Sequence, residues 1–109
     1  MYSDDVIANL PDRINEGFDE FESAIIVALP RTDARYADLK EQEQELKRRF
    51  PLIEHWFEDD GPLSLSSEEH AAMLTYLDLN SDMEGIERLA IYYAGHRDCI
   101  AYLQKTGIL

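Results

Sequence analysis

Little in this sequence can cross-link the chain or turn it sharply. There is one cysteine, Cys99, in 109 residues, so no internal disulfide can form. A lone cysteine suits a reducing compartment, and a cytoplasmic protein is the simplest expectation. Five glycines and four prolines are too few for the many tight turns of a β-sandwich or barrel. No apolar run is longer than the six residues of Ala24–Leu29 and of Leu89–Ala94, whereas a membrane span needs about 20. The opening Met1-Tyr2-Ser3-Asp4-Asp5 has no basic segment leading into an apolar one, so no secretory leader is expected.

Positive charge is scarce too, and unevenly so. Residues 51–87 carry ten acids and no base. Residues 1–30 hold seven acids against Arg13, residues 31–50 are nearly balanced, and residues 88–109 set Arg88, Arg97 and Lys105 against Asp98. The net charge is −13. Phosphate backbones and anionic membrane surfaces would be repelled, which argues against direct nucleic-acid or membrane binding. The acids Glu58, Asp59, Asp60, Glu68, Asp78, Asp82 and Glu84 read first as a solvated face. The functional alternative is a surface that docks a basic protein, at the extreme an inhibitor imitating nucleic-acid phosphates.

What is abundant is helical periodicity. The apolar fraction of 45% is ordinary for a folded domain, and 109 residues suffice for a single core, so one domain over 1–109 is expected. Ile7, Leu10, Ile14, Phe18, Phe21, Ile25 and Ala28 recur in steps of three and four, the period of a helix. Pro11 interrupts this run, so a short helix near 4–9 should precede a main helix capped by Asn9 and ended by Leu29-Pro30. A second helix should follow the cap Thr32, with Tyr36, Leu39, Leu46 and Phe50 inside and Glu43 loosening the stripe. Pro51 then kinks or restarts the chain, and Asp59-Asp60-Gly61-Pro62 stops it.

The third helical segment is the longest. Ser66 and Glu69 make a capping box, and Gly107-Ile108 a left-handed C-terminal cap. Between them Leu79, Ile86, Tyr93 and Ile100 repeat every seven residues, accompanied by Tyr76, Met83, Ala90, Leu89 and Leu103. One helix of nearly 40 residues, roughly 60 Å long, is expected, with Asn80-Ser81 as its weak point. The resulting fold is all-α: an antiparallel helical hairpin plus one long C-terminal helix, a three-helix bundle. Apolar residues off the main stripe, among them Met73, Leu77, Ile91 and Tyr92, call for cover from the shorter elements or from a second copy. With Tyr102 and Trp56 they are the candidate interface residues, and homodimerisation is expected.

The stretch Ser66-Ser67-Glu68-Glu69-His70, and the run from Met83-Glu84-Gly85-Ile86-Glu87-Arg88 through Tyr92-Tyr93-Ala94-Gly95-His96-Arg97-Asp98-Cys99 to Tyr102-Leu103-Gln104-Lys105-Thr106-Gly107, resemble a family of short bacterial proteins of unknown function. The resemblance implies a small helical protein carried near mobile elements. It brings no activity, cofactor or catalytic residue.

Catalytic chemistry finds no complete apparatus. His96-Arg97-Asp98 spells the kinase catalytic-loop triplet, but the glycine-rich loop, strand lysine and second metal motif are missing. His96 and Arg97 are better read as polar contacts to an acid of the first hairpin. A di-iron bundle needs Glu-x-x-His motifs, yet the residues three before His55, His70 and His96 are Leu52, Ser67 and Tyr93. Cys99 lies one helical turn from His96, but a lone helical cysteine is usually a small filler. The expected function is therefore non-enzymatic, without cofactor or metal: a protein-interaction or regulatory module whose partner is another protein or a second copy of itself.

Overall fold

Leu10–Thr32 forms helix α1, Ala34–Arg49 α2, Leu52–His55 the single turn α3, and Ser67–Lys105 the 39-residue α4. The computed structural model describes residues 10–56 and 64–109, and there is no strand among them. The chain is all-α, as its apolar period required. The helix expected near 4–9, the Asn9 cap and the Asp59–Pro62 stop lie outside the described residues.

Local chemistry sets the helix ends. α1 runs through Pro30 to Thr32 instead of stopping at Leu29. A proline there removes the donor to the Ile26 carbonyl and crowds it, yet the helix continues for two more residues. Thr32 therefore closes α1 and does not cap α2. That task falls to Asp33, which is extended (φ −132°, ψ 111°) and whose Oδ1 accepts from the Tyr36 N–H at 2.9 Å. Lys47, Arg48 and Arg49 occupy the last turn of α2, where the helix dipole favours positive charge. Pro51 then restarts the chain as α3.

Both caps expected on α4 are present. The Glu69 N–H donates to Ser66 Oγ at 3.1 Å, and the Ser66 N–H donates to Glu69 Oε1 at 3.0 Å. At the other end Gly107 takes φ +80°, a conformation other residues resist. The Gly107 and Ile108 N–H groups donate to the Gln104 and Leu103 carbonyls at 3.2 and 2.9 Å, satisfying carbonyls the helix leaves open. Asn80-Ser81 lies inside unbroken helix.

The chain divides into two compact units. One is Pro30–Ile86; the described part of the other is residues 10–29 with 87–109. In Pro30–Ile86, α2 buries Tyr36, Leu39 and Glu43, and α4 buries Ala72, Met73, Leu79 and Met83. The two helices run antiparallel. Arg35 Nη2 lies 3.9 Å from Asp82 Oδ2 near one end, Lys47 Nζ sits 5.7 Å from the Tyr76 ring centre, and Phe50 packs on Ile53, Ala72 and Met73 at the other end. Ile53 is a member of that cluster, so the single turn α3 packs on Ala72 and Met73 of α4. This corrects the reading of Met73 as an interface residue: it is 4% exposed, inside the chain's own core. Trp56 is half-buried against the same cluster.

Among the described residues of this unit, Glu43 is the buried charged one. Its carboxylate lies 3.9 Å from Lys40 Nζ and 3.7 Å from Lys47 Nζ, and Lys47 also faces Tyr76. The stripe is thus closed by a partnered charge and not loosened by a bare one. Such an arrangement costs desolvation that its ion pairs only partly return.

The phase of α4 differs from the expected heptad. Of Leu79, Ile86, Tyr93 and Ile100, the first is buried and the second half-buried, but Tyr93 is 64% and Ile100 50% exposed; Leu89 is 54% exposed. A straight helix turns 100° per residue, so each seven-residue step falls about 20° short of two turns. Over three steps the heptad rotates about 60° out of the core. The buried line instead follows Ala72, Met83 and Ala94, eleven residues apart, with Tyr76, Leu79, Ile86 and Ala90 between them.

Two sets of variants check this packing by urea unfolding. Met73→Ala is expected to cost about 2–5 kcal/mol and Leu77→Ala, on the exposed side, under about 0.5 kcal/mol; equal costs would contradict the assignment. Glu43→Leu is expected to be neutral or stabilising by about 1 kcal/mol, because it removes a desolvated charge. A loss above about 2 kcal/mol would show that the two lysine pairs are net favourable.

Candidate functional site

The interaction candidates separate once α4 is seen as one helix with two apolar stripes. The inner stripe ends at Ala94. The outer one consists of Leu89, Tyr93, His96, Ile100 and Leu103, spaced four, three, four and three. All five belong to the unit of 10–29 and 87–109. The first four are exposed and Leu103 is half-buried. At 100° per residue the outer stripe lies about a quarter-turn to a third of a turn from the inner one. Sequence reasoning merged the two, because Leu79 and Ile86 of the inner stripe fall in heptad register with Tyr93 and Ile100 of the outer one. The missed signal was the eleven-residue spacing of Ala72, Met83 and Ala94.

Aromatic contacts organise this outer face. The His96 ring packs edge-on to Tyr92, with ring centres 4.4 Å apart, and Tyr92 meets Tyr93 edge-on at 6.1 Å. His96 therefore leans on its own helix. Arg97 Nε approaches Asp98 Oδ1 at 3.5 Å in an exposed neighbour pair. Tyr92 is exposed beside the stripe, Ile91 is half-buried, and Tyr102 and Leu77 are exposed elsewhere on the helix. The flanking positions Ala90, Tyr92, Arg97, Cys99 and Gln104 include no acid.

The acidic candidates form no comparable site. Glu58, Asp59 and Asp60 lie outside the described residues. Glu68, Asp78, Asp82 and Glu84 are all exposed. Asp78 and Asp82 share a face of α4, while Glu84 projects from nearly the opposite side of the helix, two residues (about 200°) beyond Asp82. Asp82 faces Arg35. Among the described residues, the carboxylate held below its ordinary pKa is Glu45, through its hydrogen bonds from Arg48, and both side chains are exposed.

His96-Arg97-Asp98 sits in mid-helix, not in a loop. Cys99 is exposed. Among the described residues no group of three His, Cys, Asp or Glu side chains could hold a metal ion, and no helix is long and apolar enough to cross a membrane.

No curated protein and no solved structure matches the chain. A family model does: it covers residues 6–109, nearly the whole sequence, and so takes in both stripes of α4 and the acidic stretch alike. By that match the chain belongs to DUF6664, a family of unknown function.

Proposed function

We propose that this all-α chain, read from its sequence as a three-helix bundle, is a non-enzymatic protein-interaction module of the cytoplasm. Its working surface is the outer stripe of α4. One observation carries this reading: Leu89, Tyr93 and Ile100 stand half or more exposed, on one face, on a helix whose core is formed by a different face. Isolated surface hydrophobes need no explanation, but a contiguous apolar line flanked by the exposed Tyr92 is the usual mark of a binding surface. The four-three spacing narrows the partner to something helical, because that spacing holds one line of contact only along a supercoiled helix pair. The divided placement of Asp82 and Glu84 gives the phosphate-mimic alternative less to stand on than the stripe gives this one.

The test is affinity capture from the native host at low and high salt. The bait is the intact chain or Tyr93→Glu/Ile100→Glu, both checked for helicity by circular dichroism. An apolar stripe should retain its partner at both salt concentrations, and the variant should lose it. Capture that collapses at high salt but survives in the variant would point to the acidic face and overturn this reading.

A further inference from the structure

We draw no further inference here: the strongest candidate, the exposed apolar stripe of Leu89, Tyr93 and Ile100 along α4, is an unpartnered helix face, and nothing in the structure shows what covers it.

Discussion

The fold turns on a small mismatch between two numbers. An α-helix closes a turn in 3.6 residues, while the apolar heptad along α4 repeats at 3.5 per turn. On a short helix the difference is invisible. On 39 unbroken residues it accumulates until the same sequence pattern points in two directions: Leu79 into the core and Ile100 into solvent. The chain resolves the mismatch by letting an eleven-residue line, Ala72 to Met83 to Ala94, supply the buried face. The later heptad residues are left outside. The candidate interaction surface is a by-product of that division.

The other features serve to keep α4 continuous and to hold its first half down. Reciprocal Ser66–Glu69 bonds at one end and the Gly107 turn at the other satisfy backbone groups that would otherwise fray. Between them Ala72, Met73, Leu79 and Met83 are buried beside α2 and α3. Glu43, Lys47 and Tyr76 link α2 to α4 through a charge that is buried but partnered. Beyond Glu87 the burial thins: Ala94 is buried and Ala90 and Ile91 are half-buried, while Tyr92, Tyr93 and Ile100 are exposed. In α1, residues 11–20 are exposed throughout, and burial begins only at Phe21.

Most of the secondary structure was legible in the sequence because its signals are local. A capping box, a glycine after the last periodic residue and a run of basic residues before Pro51 act within one turn, and each marks the boundary it promised. Pro30 misled because the bias it places on Leu29 is a preference and not a prohibition, and α1 carries the proline inside its last turn. Asp33 does the capping that Thr32 was expected to do, because α1 had already absorbed the threonine.

The candidate site was legible in its residue types but not in their sides. Leu89, Tyr93 and Ile100 stand out as apolar and periodic, but periodicity alone does not say which partner a stripe faces, and their heptad register with Leu79 and Ile86 points to the core. Met73 was assigned to the surface because the short α3, only four residues long, leaves too weak a pattern to reveal what it covers. Both errors are tertiary: one turns on the rotation accumulated along α4, the other on the side that α3 covers. Backbone chemical shifts across residues 67–105 test that rotation most directly. The account requires helical shifts without interruption through Asn80-Ser81 and on to Lys105. A return to coil values anywhere between Ala72 and Ala94 would reset the phase of the helix and contradict the division into an inner and an outer stripe.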